Sequence, residues 1–220
     1  MPLKLPRPIL YLITRGATTE ASTANDPEFT QILDQIAKAA AARIDLIQIR
    51  EKRATTCLLF DLVLEATRLT RGSNTRLLVN DRADVAAGAG AEGVHLTTRS
   101  LDAGTIRRTF GAALLIGVST HSVHEARTAR HQGADFAVFG PVFETESKRA
   151  FGPAKGTREL SDVVRELQDY PVLALGGITL ANADDCLAAG AAGIAGISLF
   201  DKPDSFDKLS ARFSRMKGVR

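Results

Sequence analysis

Short apolar runs alternate with amphipathic segments along the whole chain. Eight runs are mostly apolar rather than alternating, which is typical of parallel strands covered on both faces, and they are ILYLIT (9–14), LIQIR (46–50), LLVN (77–80), GVHL (93–96), LLIGVS (114–119), FAVFG (136–140), PVLALGG (171–177) and IAGIS (194–198). The segments between them have helical spacing and cover 27–43, 57–71, 83–91, 101–110, 122–133, 157–167, 179–190 and 204–217. Strict alternation without a linker predicts an α/β fold, a single (βα)₈ TIM-barrel domain over residues 1–220.

A doubly wound open sheet is the alternative to this barrel. That fold usually carries a glycine-rich turn after its first strand, where a helix N-terminus receives phosphate groups. Here the first apolar run continues into TRGATTEAST, which contains no such motif. The sequence therefore favours the closed barrel.

The composition narrows the classes of protein to consider. A formal charge of +3, two tyrosines and no tryptophan give little support for nucleic-acid binding. The two cysteines, Cys57 and Cys186, stand alone in helical segments, which argues against a disulfide framework and favours a reducing compartment. The N-terminal apolar run is too short for a signal peptide or a membrane span. We predict a cytoplasmic protein that binds neither membranes nor nucleic acid.

Polar residues follow nearly every predicted strand, and in a barrel these carboxyl ends carry the function. Cations, hydroxyl groups and glycines suited to binding oxyanions occur there, namely Gln48, Arg50, Lys52, Asn80, Ser119, Thr145, Ser147, Lys148, Gly176-Gly177, Ile197 and Ser198. They predict two anion sites, one near strands 7 and 8 and one near strands 2, 3, 5 and 6. Asp81 among the cations suggests a divalent ion such as Mg²⁺ bridging a carboxylate and a diphosphate.

A long polar segment, FGPVFETESKRAFGPAKG (139–156), interrupts the pattern after the sixth run. Ordering a loop of this length costs conformational entropy, and such loops are usually either functional or disordered. Because this loop follows a predicted barrel strand and carries Thr145, Ser147 and Lys148, we expect it to be functional.

Several motifs in order resemble the thiamine phosphate synthase/TenI family, namely YLIT, QIREK, NDRADVA, GVHL, GVSTHS, GADFAVFGPVFETESK, ALGGIT and GIAGIS. The resemblance implies a TIM barrel that joins hydroxymethylpyrimidine diphosphate to thiazole phosphate through a pyrimidine cation. Small phosphorylated molecules would be its partners, and a homodimer is the candidate assembly. By this resemblance Arg50, Lys52, Asn80, Ser119 and Lys148 hold the diphosphate, Asp81 holds Mg²⁺, Thr145 and Ser147 assist, and Gly177, Ile197 and Ser198 bind the thiazole phosphate.

The sequence departs from the synthase motifs after the fourth strand. Synthases typically have Gly-Gln-Glu-Asp there, and its aspartate is the second metal ligand. This chain has Thr97-Thr98-Arg99-Ser100, so Ser100 takes the ligand position. Either Arg99 replaces part of the metal charge or Asp102 reaches the site. The acid of the family's YLITD motif is also replaced, by Arg15.

Two alternative functions follow from these departures. The TenI branch isomerises a carboxythiazole phosphate and lacks the same acidic segment; His121 would be its acid or base, because a near-neutral pKa suits proton transfer. The other alternative is an inactive member that binds thiazole or thiamine phosphate as a regulator. Arg50, Ser119, His121 and Lys148 are thus the candidate catalytic residues, whereas His95 is interpreted as a packed, hydrogen-bonded core histidine.

Overall fold

The computed structural model describes residues 3–145, 153–201 and 204–217. Within them eight parallel strands pair in chain order and close between the last and the first, which confirms the predicted (βα)₈ barrel. The elements are β1 (Ile9–Ile13), α1 (Pro27–Ala41), β2 (Leu46–Ile49), α2 (Thr56–Thr70), β3 (Arg76–Asn80), α3 (Ala83–Ala89), β4 (Gly93–Leu96), α4 (Ala103–Phe110), β5 (Leu115–Thr120), α5 (Val123–His131), β6 (Phe136–Phe139), α6 (Gly156–Leu167), β7 (Val172–Leu175), α7 (Ala183–Ala188), β8 (Gly193–Gly196), a 3₁₀ turn (Ser198–Phe200) and α8 (Ser205–Lys217).

Alternate strand residues face opposite sides of the barrel wall, and both sides are buried. On β1, Tyr11 and Ile13 face the barrel interior and Leu10 and Leu12 face the helices. Burial on both faces explains why the strands are mostly apolar rather than alternating.

Hydroxyl and carboxylate side chains define the starts of three helices. Thr55, Asp102 and Ser122 each accept a hydrogen bond from the backbone N–H three residues further on, which satisfies a donor that the first helical turn leaves without a partner. None of the helices among the described residues has the length and apolar character needed to span a bilayer.

Two predicted strands end two residues earlier in the structure, because the backbone turns at their carboxyl ends. β7 ends at Leu175, since Gly176 and Gly177 have φ of 99° and 64°, a region that strands do not use. β8 ends at Gly196, since Ile197 (φ −99°, ψ −72°) begins the 3₁₀ turn. Gly177, Ile197 and Ser198 therefore lie in loops.

The helix predicted over 179–190 is also shorter, because a turn precedes it. The Asn182 side chain accepts a hydrogen bond from the Thr179 N–H at 2.7 Å and donates one to the Gly177 carbonyl at 3.0 Å. These bonds hold 177–182 as a turn, so that α7 begins only at Ala183.

Three carboxylates at the amino end of the barrel connect neighbouring strands. Asp45, Glu92 and Asp135 directly precede β2, β4 and β6, and each accepts a hydrogen bond from a backbone N–H of the preceding strand at 2.8, 2.8 and 2.7 Å. Asp45 also pairs with Lys217, and Asp135 pairs with Arg107, each at 2.7 Å. The amino end thus carries charged structural contacts, and the carboxyl end is left for a binding site.

Candidate active site

A chain of five polar side chains crosses the barrel interior beneath the carboxyl ends of β1 to β5. Gln48 Nε2 lies 3.0 Å from Asn80 Oδ1, and the Tyr11 hydroxyl lies 3.3 Å from Gln48 Oε1. His95 lies 3.1 Å from the Tyr11 hydroxyl through Nδ1 and 2.9 Å from Ser119 Oγ through Nε2. The predicted residues Gln48, Asn80 and Ser119 are therefore brought together, through two residues that the sequence did not assign to the site.

Burial keeps the two central groups of this chain uncharged. His95 is 2% exposed, and burial, assisted by the positive charge of Arg50, lowers its pKa to about 3. Tyr11 is fully buried, which raises its pKa well above the usual value for a phenol. The interpretation of His95 as a packed, hydrogen-bonded histidine agrees with this geometry, although one of its partners, Ser119, is a predicted site residue.

Positive charge accumulates above this chain. The pKa of Lys52 is lowered, first by partial burial, then by the positive charges of Arg50 and Arg99, while Asp81 opposes the shift. Lys52 is thus within electrostatic reach of two other cations and one carboxylate. Such a surplus of positive charge suits an anionic ligand.

Asp81, the predicted metal ligand, lies at the end of β3 in the left-handed region, with φ of 65°. Its backbone N–H donates to the His95 carbonyl at 2.9 Å, and its carboxylate accepts a hydrogen bond from the Ser100 hydroxyl. Ser100 Oγ in turn accepts from the Thr97 N–H at 2.6 Å. Ser100 and Ser119 also line one cavity of about 340 Å³.

Asp102, the alternative replacement for the missing aspartate, caps helix α4 in the structure. Both of its carboxylate oxygens bond to Thr105, at 3.0 Å to the backbone N–H and 2.7 Å to the hydroxyl. The bond from the Thr105 hydroxyl is the larger cause, and the bond from the Thr105 N–H the smaller one, of a lowered pKa of Asp102. A role as helix cap accounts for this acid without a metal.

The donors around Asp81 fit a magnesium ion that is shared with a substrate. Mg²⁺ commonly takes one or two carboxylates and completes its shell with waters and substrate phosphates. Here the protein offers the Asp81 carboxylate and the adjacent Ser100 hydroxyl oxygen. This set is adequate if a diphosphate supplies further oxygens.

Glu51 holds the loop after β1, a role that the sequence analysis missed. It is 3% exposed, and its oxygens accept four hydrogen bonds, from the Thr14 hydroxyl (2.7 Å), the Gly16 N–H (3.2 Å), and the N–H and hydroxyl of Thr18 (both 2.9 Å). A Cβ at Gly16 would lie 3.2 Å from the Arg50 carbonyl oxygen, so this loop packs against Arg50. The sequence signal that could have indicated this role is an acid, between Arg50 and Lys52, directly after a predicted buried strand.

The residues predicted to form the second anion site lie in the loops after β7 and β8. Gly177 approaches its neighbours closely, because a Cβ there would lie 2.5 Å from the Glu144 carbonyl oxygen. Ser198 is exposed at the start of the 3₁₀ turn. An ion pair between Arg15 and Asp201 connects the loop after β1 to this region.

The ends of the long loop after β6 are held near these glycines. Residues 142–143 donate backbone hydrogen bonds to the end of β7 at 2.8 and 3.0 Å, and residues 155–156 donate to the start of the same loop at 2.8 and 2.9 Å. Thr145 is half-buried. Ser147 and Lys148 lie outside the described residues, so their predicted roles stay predictions.

His121 follows β5 and contacts a carboxylate on α5. Its Nδ1 lies 3.1 Å from Glu125 Oε2, which also accepts the His121 backbone N–H at 2.7 Å. Both side chains are about 40% exposed. A carboxylate partner orients an imidazole for proton transfer, so this pair keeps the isomerase alternative testable.

Comparison with known proteins identifies the family. The family model for thiamine monophosphate synthase, TMP-TENI, matches residues 10–200. The thiamine-phosphate synthase of Methanocella arvoryzae is 38% identical over 189 residues, covering 86% of this chain and 85% of that protein. The thiamine-phosphate synthase of Chlorobium phaeobacteroides is 37% identical, covering 80% and 85%. The solved structure of thiamine phosphate pyrophosphorylase from Pyrococcus furiosus superposes with a TM-score of 0.78 at 29% identity, covering 95% of each chain. The chain therefore belongs to the thiamine monophosphate synthase (TMP-TENI) family.

Proposed function

We propose that this protein is a thiamine-phosphate synthase, a transferase that condenses hydroxymethylpyrimidine diphosphate with thiazole phosphate. Family membership over residues 10–200 supports this function. The observation that carries it is the charge arrangement at the carboxyl ends of β2 to β5. There the cations around Asp81 act on Lys52, and Arg50 also acts on His95, which contacts Ser119.

In the proposed reaction the bond between the pyrimidine methylene carbon and the diphosphate oxygen breaks. The electron pair leaves with the diphosphate, and the lone pair of the thiazole nitrogen then forms the new carbon–nitrogen bond. Negative charge that develops on the departing oxygen is stabilised by fixed positive charges and hydrogen-bond donors, here Arg50, Lys52, Asn80 and Ser119. No strong base is required for this step, which agrees with the low pKa, and hence weak basicity, of His95.

The other predicted residues complete the proposal. Gly177, Ile197 and Ser198 would bind the thiazole phosphate through backbone N–H groups, and Thr145, Ser147 and Lys148 would cover the diphosphate. Asp81, with Ser100 beside it, would hold Mg²⁺, which supplies positive charge to the diphosphate when bound. A cytoplasmic location, a single domain over residues 1–220 and a homodimer remain predictions.

The test is direct synthesis. Purified protein is incubated with both substrates and Mg²⁺, and thiamine phosphate and diphosphate are measured. We expect Lys52→Ala to lower kcat/KM by at least about tenfold, because a cation that meets the leaving group is lost. Arg53→Ala removes the neighbouring exposed cation and is the matched control, with activity within about twofold of the wild type. Equal losses in both variants would contradict the proposed role of Lys52.

The isomerase alternative is tested on the same preparation. If no thiamine phosphate forms but the carboxythiazole phosphate is converted to its tautomer, and His121→Ala abolishes that conversion, the His121–Glu125 pair is the catalytic acid–base. Binding of either phosphate without turnover would instead identify a regulator.

A further inference from the structure

The chain from Asn80 to Ser119 has a direction, because each of its central groups has a single proton to donate. A phenol has one O–H and a neutral imidazole has one N–H, and burial keeps both Tyr11 and His95 neutral. Once the donor and acceptor of one hydrogen bond in the series are known, the donors and acceptors of all the others follow.

With the amide orientations of the structure, every hydrogen bond of this series is donated in the direction from Ser119 toward Asn80. Gln48 Nε2 donates to Asn80, so Gln48 Oε1 accepts the Tyr11 proton. His95 must then donate to Tyr11 through Nδ1–H, and its Nε2 must accept the Ser119 proton. In this direction the Ser119 hydroxyl has no proton left for an anion.

The same atoms are also all hydrogen-bonded when every donor and acceptor is exchanged, so that the bonds point from Asn80 toward Ser119. If Ser119 donates to an anion, its Oγ accepts from His95 Nε2–H. Nδ1 then accepts from Tyr11, the Tyr11 oxygen accepts from the Gln48 amide, and Gln48 Oε1 accepts from the Asn80 amide. One proton leaves Nδ1, one is taken up by Nε2, and two amides rotate, so that the net charge is unchanged. The second amide hydrogen of Asn80 stays available to the anion.

We propose that Tyr11 and His95 are positioning residues that switch Ser119 between these two directions: a diphosphate at Ser119 selects the Nε2–H tautomer of His95, and Tyr11 holds that tautomer. This inference rests on the proposed function, which supplies the anion. It assigns His95 to the site through Ser119 rather than as a proton donor to substrate. Gly117 leaves room for the ring, since a Cβ there would lie 2.8 Å from His95 Nδ1.

Kinetics of two amide variants separate the two imidazole nitrogens. Glutamine at position 95 places its NH₂ group near the Nε2 position and can donate to Ser119, whereas asparagine reaches only toward Tyr11. We expect His95→Asn and Tyr11→Phe to lower kcat by about tenfold or more with a smaller change in the KM for the thiazole phosphate, and His95→Gln to recover most of that loss. Equal kcat for the glutamine and asparagine variants, at matched melting temperatures, would overturn the positioning role.

The tautomer itself is measurable in the wild-type protein by NMR of ¹⁵N-labelled histidine at pH 7. The chain has four histidines, and the His95 signals are those that His95→Gln removes. Inorganic pyrophosphate should move the proton from Nδ1 to Nε2 in the wild type and not in Ser119→Ala. If pyrophosphate shifts backbone resonances of the site while His95 keeps its Nδ1 proton, the inference fails and the proposed function stands. If pyrophosphate shifts no resonance, the proposed diphosphate site fails and this inference fails with it.

Discussion

Replacing Glu51 by glutamine tests whether the loop after β1 is held in place by that carboxylate. Its oxygens accept hydrogen bonds from two backbone N–H groups and two hydroxyls. The glutamine amide turns one acceptor into a donor. In the less costly of its two orientations, the glutamine NH₂ group faces the Thr14 hydroxyl and the Gly16 N–H. The hydroxyl can rotate to accept a hydrogen bond from the NH₂ group, but the N–H cannot accept one. One unmatched buried N–H costs about 1–3 kcal/mol, and loss of charge weakens the other bonds, so we expect unfolding to become easier by about 2–4 kcal/mol.

Urea unfolding of the purified variant measures this change, with the midpoint and slope fitted together. Glu20→Gln alters an exposed acid in the same loop and should stay within about 0.5 kcal/mol of the wild type. Because the loop packs on Arg50, Glu51→Gln should also raise the KM for the pyrimidine diphosphate several-fold at temperatures where the protein is folded. A Glu51→Gln protein as stable as the Glu20→Gln control would refute the anchoring role.

Three further predictions concern stability. Between pH 6.5 and about 3 the unfolded chain binds a proton at His95 that the folded protein excludes. His95 should therefore contribute a fall of about 1.4 kcal/mol per pH unit in the free energy of unfolding on acidification. His95→Gln should remove this contribution, and the exposed His131→Gln should keep it. Gly177→Ala and Gly72→Ala both force alanine into positive φ, but only Gly177 meets other atoms within 4 Å, so calorimetry should show a larger loss of melting temperature for Gly177→Ala. Asp135→Asn breaks a partly buried ion pair and should cost about 3 kcal/mol in urea unfolding; a cost below about 1 kcal/mol would contradict its structural role.

The barrel and much of the candidate site were predictable from the sequence for one physical reason. Strands buried on both faces show as continuous apolar runs, and in a parallel barrel whatever follows them converges at one end. Gln48, Asn80 and Ser119 were therefore identified from position alone, and the structure places them in one hydrogen-bonded chain.

Three features lay beyond this reasoning. Tyr11 is one letter in an apolar run, and nothing local shows that its hydroxyl meets Gln48 and His95. Glu51 bonds to residues 33–37 positions away, and only the fold brings them together. Asp102 was considered as a metal ligand, but capping α4 satisfies it locally.

The carboxylates before β2, β4 and β6 have a consequence for how such a protein changes over time. They place the contacts that tie strand to strand at one mouth of the barrel, while the residues proposed to meet substrates line the other. Substitutions in the loops at the carboxyl ends of the strands, such as the one that places Ser100 in this chain, then leave these strand contacts intact. The activity can therefore change without loss of barrel stability.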